Sequence, residues 1–160
     1  MTQTLSHDAL LDRYAELTIR SGLNLQPGQQ LVMTAPLDAV PLVRRITEHA
    51  YKAGASVVTT LYSDDATTLA RYQHGRDESF DVAPGWLFNG MAEAFKGNAA
   101  RLAIAGEDPA LLAGQDPKKL ARANKARSLA YRPALELITS HAINWCVIAA
   151  ATPAWAKSVF

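Results

Sequence analysis

Residues 30–62 read QLVMTAPLDAVPLVRRITEHAYKAGASVVTTLY, and this stretch decides the fold. The apolar run Gln30–Ala35, which ends at Pro36, and the β-branched run Ala55–Tyr62 both have the composition of strands. Between them the pattern predicts a helix from Asp38 to about Ala53. Four apolar side chains of that helix share one face: Leu42, Val43, Ile46 and Ala50. A strand, a helix and a strand in this order predict two parallel strands joined by a crossover helix.

The same alternation continues to the end of the chain. Two further strands are predicted, Arg101–Ala105 (RLAIA) and Ile143–Ala151 (INWCVIAAA), the latter being the most apolar. Helices are predicted over residues 6–21, 64–74, 84–97 and 116–131, with new starts at Asp108, Pro133 and Pro153. Strands that are apolar on both sides, separated by amphipathic helices, indicate an α/β protein with a three-layer, doubly wound, flavodoxin- or Rossmann-like sheet. We expect at least four mostly parallel strands in the order 2-1-3-4, with helices on both faces.

Local signals fix some helix ends in this prediction. In the first helix, Ser6 is the expected N-cap and Gly22 the expected left-handed stop. Its inward stripe is predicted as Leu10, Tyr14 and Leu17. The helix from Pro84 is expected to carry four large apolar side chains: Trp86, Leu87, Met91 and Phe95.

Composition narrows the class of protein. The 160 residues suit one domain, and 16 Lys and Arg against 15 Asp and Glu leave a net charge of +1. This balance argues against a dedicated nucleic-acid binder, and 49% apolar residues exclude a disordered chain. A single cysteine excludes an internal disulfide and favours a reducing compartment. With no signal-peptide pattern and no stretch long enough to span a bilayer, we expect a cytoplasmic protein without membrane or nucleic-acid partners.

Polar residues follow each predicted strand, and the carboxyl ends of parallel strands are where open α/β sheets bind ligands. The predicted rim of the sheet contains Asp38, Asp64, Asp65, Glu107, Asp108, Thr152 and Trp155. Asp38, Asp64 and Asp108 are explained first as helix caps. Asp65 and Glu107 are not needed as caps, so they are the better candidates for a site.

Other chemical signals are weak. No glycine-rich phosphate loop follows the first strand, and the four histidines lack metal-ligand spacing. Cys146 lies in an apolar strand, so a buried thiol is favoured over a nucleophile paired with His141. A basic run is best explained as a solvated helix face, and the alternatives are a phosphate contact or an intersubunit or interdomain contact with acidic loops. It consists of Lys118, Lys119, Arg122, Lys125, Arg127 and Arg132.

Beyond these patterns, long stretches of the sequence resemble one family in order and spacing. They are Arg13–Val58, Tyr62–Asp65 (YSDD), Gly106–Ala126 (GEDPALLAGQDPKKLARANKA) and Asn144–Ala156 (NWCVIAAATPAWA). Together they resemble the N-terminal part of the thermophilic metalloaminopeptidases, the family typified by aminopeptidase T, aminopeptidase S and PepS. The resemblance spans almost the whole chain.

This resemblance implies a metal-dependent exopeptidase that removes N-terminal residues from peptides with two divalent metal ions, such as zinc or cobalt, and that is a homodimer. The family's metal ligands and acid–base groups lie in a C-terminal catalytic domain, so no catalytic or metal-binding residue is assigned here. For residues 1–160 the resemblance implies a single domain that lies against the catalytic domain and helps to enclose a cavity. The access rim would comprise Asp64, Asp65, Glu107, Asp108, Thr152 and Trp155. A stand-alone flavodoxin-like binding or assembly module without activity is the alternative.

The last residues support the expectation that the chain is the N-terminal part of a longer protein. A helix starting at Pro153 would reach the aromatic Phe160 after two turns, without a cap. Trp155, Val159 and Phe160 would lie on one side of it, and we expect the chain alone to associate through this apolar segment. We also expect the chain alone to be inactive and not to bind zinc or cobalt tightly.

Overall fold

The computed structural model describes residues 6–159 and shows alternating helices and strands. In chain order these are α1 (His7–Leu17), β1 (Gln30–Pro36), α2 (Val40–Lys52), β2 (Val57–Ser63), α3 (Asp65–His74), α4 (Gly85–Lys96), β3 (Ala100–Ala105), α5 (Pro117–Thr139), β4 (Trp145–Ala149) and α6 (Pro153–Val159). A π-helical turn, Thr18–Leu23, follows α1, and 3₁₀ turns occupy Leu37–Ala39 and Asp77–Asp81.

The four strands form one parallel sheet in the order β2-β1-β3-β4, which confirms the predicted order. The central strand β1 pairs on both sides, with Met33 opposite Thr60 of β2 and Leu102 of β3. After β2 the chain crosses to the far side of β1, so the direction of winding reverses between β1 and β3. This switch point opens a crevice at the carboxyl ends of those two strands.

Separate hydrophobic clusters cover the two faces of the sheet. On one face, α1 and α2 pack against β1 and β3, and the fully buried side chains include Ile19, Leu31, Ile46 and Leu102. The α2 side chains predicted to point inward are all buried. On the other face, α4 and α5 pack over Val32, with Phe95 as their largest fully buried side chain. Helices on both faces give the predicted three layers.

Two turns at the amino edge use glycine where the backbone requires it. Gly54 ends α2 with a φ of +95°, and Gly28 has a φ of +82°, values that L side chains rarely adopt. The Gly28 amide donates a hydrogen bond to the Gly54 carbonyl at 2.8 Å. These turns place β1 and β2 side by side.

A network of polar side chains, which we call the polar clasp, lies at the same amino edge of the sheet. The side-chain amide of Gln29, which is 9% exposed, donates to the Asn98 carbonyl at 3.0 Å and to Asn144 Oδ1 at 2.9 Å. The amide nitrogen of Asn144 donates to the Leu23 carbonyl at 3.0 Å. The clasp therefore joins the π-helical turn, β1 and the start of β4, as buried polar groups require partners.

The first helix departs from its prediction in two respects. Ser6 caps it as expected, but Leu10 and Leu17 are 53% and 59% exposed, because α2 meets the face carrying Ala15 instead. The left-handed residue is Asn24, with a φ of 51°, since the π-helical turn carries the helical backbone past Gly22. Gly22 serves close packing, because a Cβ atom there would lie 3.2 Å from the Cys146 sulfur.

In α4, Met91 and Phe95 are buried together with Phe88 and Ala92, whereas Trp86 is 78% exposed. Two other helix predictions were wrong in part. The helix α5 is continuous through Pro133, where a break and a new start were predicted. At Asp108 no helix begins. Its carboxylate accepts the Ala110 amide at 2.8 Å in a turn, because the chain there forms successive turns.

The edge strands are shorter and more exposed than predicted. The predicted span Ile143–Ala151 narrows to the five residues of β4, in which Trp145 and Val147 are 40% and 55% exposed. The helices of the second face pack over β1 and β3 but do not extend over this outer strand. The strand β2 begins at Val57 rather than Ala55 and forms the opposite edge.

The last helix begins at Pro153, as predicted. Trp155 is partly buried, whereas the predictions for the Val159 and Phe160 side chains lie outside the described residues. Within residues 6–159, no helix has the length and apolar character needed to cross a bilayer.

Candidate binding cleft at the carboxyl edge of the sheet

A cleft of about 780 Å³ opens at the switch point between β1 and β3. Its floor is formed by the last residues of β1 and of the neighbouring edge strand β2, including Thr34 and Ala35 of β1 and Ser63 of β2. The helices α4 and α5 form its sides, and the loop after β3 closes one end. A crevice in this position is the usual ligand site of an open α/β sheet.

Asp65 and Asp108, two residues of the predicted rim, meet at this cleft. The carboxylate of Asp65 accepts the backbone amide of Asp108 at 3.0 Å, which joins the start of α3 to the loop after β3. Both residues are partly buried and both line the cleft. Asp65 therefore lies at the carboxyl edge of the sheet, where its carboxylate holds the loop after β3.

Glu107 lies beside them and is exposed. One of its carboxylate oxygens accepts the Gly106 amide at 3.1 Å, and the other lies 3.5 Å from the Ser63 hydroxyl. Glu107 also lines the cleft. Its carboxylate thus adds negative charge to the lip formed by Asp65, Glu107 and Asp108, which we call the acidic lip.

Asp64 and Asp38 have different positions from these three. The Asp64 carboxylate caps α3 by accepting the Thr67 amide at 3.1 Å, as predicted. Asp38 is exposed inside the 3₁₀ turn that precedes α2, and Ala39 occupies the cap position without a side-chain bond. The prediction of Asp38 as a cap was therefore wrong, because the 3₁₀ turn moves the cap position by one residue, to Ala39. Neither aspartate lines the cleft.

Thr152 and Trp155 also do not line the cleft, although they follow β4 at the same edge. Thr152 is 2% exposed, and its hydroxyl donates to the Gly106 carbonyl at 2.6 Å while accepting the Trp155 amide at 3.3 Å. A Cβ atom at Gly106 would lie 2.9 Å from the Thr152 methyl carbon, so this contact requires glycine. The pair supports the loop that carries the acidic lip.

The opposite wall of the cleft is basic, and the sequence analysis did not single out its residues as one site. Arg101 of β3 donates from Nε to the Tyr131 hydroxyl of α5 at 3.1 Å, and Arg127 lies one helical turn before Tyr131. All three residues line the cleft, and we call them the basic wall. The available signals were a charged residue inside an apolar strand and the spacing of four between Arg127 and Tyr131, which places both on one helix face.

Part of the basic run has an intramolecular partner instead. Arg122 forms ion pairs with Asp77 at 2.8 Å and Asp81 at 2.5 Å. Its guanidinium group holds the pKa of Asp81 below the ordinary value by hydrogen bonding. These pairs lie within the domain and attach the Asp77–Asp81 turn to α5, so they do not test the predicted contact with acidic loops of another domain or subunit.

In the described part of the chain, histidine and cysteine side chains do not come together in a metal or catalytic centre. His49 lies 3.0 Å from Asp12 on the α1–α2 surface, and this hydrogen bond lowers the pKa of Asp12. Burial raises the pKa of the Cys146 thiol, which contacts the Val147 carbonyl. Within residues 6–159, no three His, Cys, Asp or Glu side chains form a set that could hold a metal ion.

A parallel sheet in the order β2-β1-β3-β4 with helices on both faces defines an α/β domain of the doubly wound class. The chain belongs to the thermophilic metalloprotease (M29) family, whose model matches residues 7–160. This match confirms the family resemblance found in the sequence.

Named relatives and a solved structure agree with this membership. Over 150 residues the chain is 48% identical to Aminopeptidase T of Thermus thermophilus and 41% identical to Aminopeptidase 2 of Geobacillus stearothermophilus. These alignments cover 94% of this chain but only 37% and 36% of those proteins. The structure of wild-type AmpT from Thermus thermophilus matches with a TM-score of 0.93 at 46% identity, over 97% of this chain and 39% of that one. The chain thus spans about 37% of the length of Aminopeptidase T.

Proposed function

We propose that this chain is the N-terminal, cavity-enclosing domain of a metal-dependent aminopeptidase that removes N-terminal residues from peptides. The observation that carries the proposal is the 48% identity to Aminopeptidase T over 94% of this chain and 37% of that protein. Identity at this level supports a shared activity, while the partial coverage of the relative supports a role for this chain as one domain of several.

In this proposal the metal centre lies outside the described residues. Two divalent ions, zinc or cobalt, would be held by a C-terminal catalytic domain, because residues 6–159 bring together no ligand set. This chain would then supply no acid, base or ligand, and on its own it would be inactive. Its contribution would be to bound the space in which peptides bind.

The carboxyl edge of the sheet is the surface proposed to face that space. Glu107 and Asp108 of the acidic lip lie on the loop after β3. The hydrogen bond from Thr152 to the Gly106 carbonyl and the bond from the Asp108 amide to Asp65 fix the position of this loop. A rim of this kind can narrow access and favour short peptides. The proposal includes Asp64, Thr152 and Trp155 as supporting residues of the rim and not as contacts to peptide.

The proposal also places the protein in the cytoplasm as a homodimer. A single cysteine, Cys146, suits a reducing compartment. A net charge of +1 gives no reason to add a nucleic-acid or anionic-membrane partner. Size-exclusion chromatography with light scattering of the protein expressed from its complete gene tests the dimer.

The activity is tested by expressing the complete gene and, separately, residues 1–160. We expect the product of the complete gene to release N-terminal residues from peptides, to fail on N-acetylated peptides and to lose activity in a chelator. We expect residues 1–160 alone to be inactive and to bind neither zinc nor cobalt in calorimetry. Activity without any dependence on a free amine or on metal would contradict the proposal, and a complete gene that encodes only this chain would favour a stand-alone binding module.

The rim is tested with one bulky substitution and a matched control. Glu107→Trp should reduce kcat/KM for long peptides more than for dipeptides, because the larger side chain narrows the entrance. Glu48→Trp replaces an exposed glutamate of α2 on the other face of the sheet and should affect both peptide classes equally. Equal effects of the two substitutions would count against the rim.

A further inference from the structure

The basic wall carries positive charge that no side chain of the described residues neutralises. Arg20, Arg45, Arg122 and Arg132 all form ion pairs with carboxylates. Within residues 6–159, Arg101 and Arg127 form no ion pair, and the Arg101 side chain donates a hydrogen bond to the neutral Tyr131 hydroxyl. Arg101 is only partly exposed. Guanidinium groups that face a cleft without a carboxylate partner are suited to bind an anion from solution.

The carboxylates of the acidic lip do not fill this role, because they are bonded elsewhere and lie at a distance. Asp65 accepts a backbone amide at 3.0 Å, and Glu107 accepts another at 3.1 Å. Arg101 lies near the start of β3 and Glu107 beyond its end. The four residue steps from Arg101 to Ala105 alone span about 13 Å at the rise of a strand. The cleft therefore has a positive wall and a negative lip at separate ends.

Apolar side chains also line the cleft. They include Leu61, Leu87, Phe88, Met91, Leu111 and Leu112. A volume of about 780 Å³ is large enough for a small peptide or a molecule of similar size. The cleft thus favours a ligand with an anionic end, an apolar body and a cationic end.

A carboxylate suits the anionic end better than a phosphate does. The chain at the end of β1 reads Pro36-Leu37-Asp38, so it offers no glycine-rich row of backbone amides to a phosphate. The acidic lip in the same cleft would also oppose a dianion more strongly than a monoanion. An extended residue spans about 3.3–3.6 Å, so a peptide of a few residues would bridge the wall and the lip.

We propose that the cleft binds the C-terminal residue of a short peptide, with Arg101 and Arg127 on its α-carboxylate and the apolar side chains around its side chain. The peptide's amino end then points toward the acidic lip. That this peptide is a substrate rests on the proposed function, whereas carboxylate binding by the basic wall does not.

The binding test uses the protein expressed from its complete gene and the probe N-acetylphenylalanine, which has a free carboxylate and no free amine. Calorimetry should show that N-acetylphenylalanine binds about tenfold or more tightly than its C-terminal amide, because the amide loses a charge-assisted hydrogen bond. Arg127→Gln should abolish this preference. Arg132→Gln, which alters an exposed arginine of the same helix paired with Glu136, should leave it unchanged.

Two further variants protect the test against misfolding of a partly buried site. Arg101→Lys retains the charge and should keep part of the preference, whereas Arg101→Gln should lose it, with circular dichroism confirming the fold of both. Equal binding of acid and amide, a preference that survives Arg127→Gln, or no binding of the acid would overturn the proposal. Tighter arginine-dependent binding of phenyl phosphate would overturn the assignment to a carboxylate.

A peptidase assay separates this proposal from the proposed function. Peptides with free C-terminal phenylalanine should have a lower KM than the same peptides with a C-terminal amide. Arg127→Gln should remove this difference in KM, whereas the control Arg132→Gln should preserve it and leave kcat unchanged. Arginine-dependent binding of N-acetylphenylalanine in a protein without peptidase activity would support the carboxylate site and refute the proposed function. Peptidase activity that does not distinguish acid from amide would refute the carboxylate site alone.

Discussion

The hydroxyl of Thr152 donates to the carbonyl oxygen of Gly106 at 2.6 Å, which joins the loop after β3 to the loop after β4. Both residues are buried, and the same hydroxyl accepts the Trp155 amide at the start of α6. The Thr152 side chain thus fixes both the loop that carries Glu107 and Asp108 and the first turn of α6.

Replacing Thr152 with valine should therefore destabilise the protein. The substitution keeps the shape but leaves the Gly106 carbonyl buried without its partner, which typically costs about 1–3 kcal/mol of unfolding free energy. Urea denaturation followed by circular dichroism measures this loss. Thr152→Ser keeps the hydroxyl and should cost less, so equal losses for the two variants would show that packing and not the hydrogen bond decides.

The left-handed backbone at Asn24 leads to a second prediction. Asn24→Ala should lower the unfolding free energy by about 1–2 kcal/mol, because a β-carbon without a local hydrogen-bonding group is disfavoured in this region. Asn24→Gly should be close to neutral, since glycine adopts a positive φ readily. Thermal unfolding of both variants provides the comparison, and an alanine variant as stable as the glycine variant would contradict the assignment.

A third prediction concerns Pro133 in the interior of α5. Proline in a helix interior costs about 3 kcal/mol relative to alanine, and its restriction of the unfolded chain returns about 0.4–1 kcal/mol. Pro133→Ala should therefore raise the unfolding free energy by about 2 kcal/mol. Denaturation in urea tests this, and a decrease in stability would mean that the ring makes contacts that offset its cost.

The ion pair between Asp81 and Arg122 should depend on pH in a defined direction. Hydrogen bonding to Arg122 lowers the pKa of Asp81 in the folded state below the unfolded value of about 3.9. Its stabilisation is therefore complete above that value and is lost as the pH falls through the lowered pKa.

Asp81→Asn tests this direction. The variant should have a lower urea midpoint than the wild type at pH 7, and the difference should narrow as the solution is acidified through the aspartate range. Asp38→Asn replaces an exposed aspartate whose side chain makes no hydrogen bond within residues 6–159. Its difference in urea midpoint from the wild type should not change with pH in this way. A difference that widens in acid would reverse the assigned sign.

Element type could be predicted because it depends on local composition and periodicity, and strand order followed from the few arrangements that right-handed crossovers allow. The run Ala55–Tyr62 indicates a strand whatever surrounds it, and the α2 stripe indicates a helix with one buried face. The direction in which Leu10 or Trp86 points depends on which neighbouring element meets its helix. That information is tertiary and is absent from the local pattern.

The same distinction between local and tertiary information applies to the residues of the candidate site. Asp65 and Glu107 could be placed at the rim because each follows a strand end directly. The basic wall could not, because Arg101 and Tyr131 are 30 residues apart and meet only when α5 packs on the sheet. The polar clasp of Gln29 and Asn144 was missed for the same reason, since its partners are 115 residues apart.

That clasp has a consequence for the order of events during synthesis of the chain. The Gln29 side chain cannot complete its native hydrogen bonds, and the Leu23 carbonyl cannot obtain its side-chain donor, until Asn144 has emerged from the ribosome. These polar groups beside the first strand therefore lack part of their native hydrogen bonds while more than a hundred further residues are synthesised. Contacts over such sequence distances slow folding, so the amino-terminal segment should be among the last parts of this domain to become protected from hydrogen exchange.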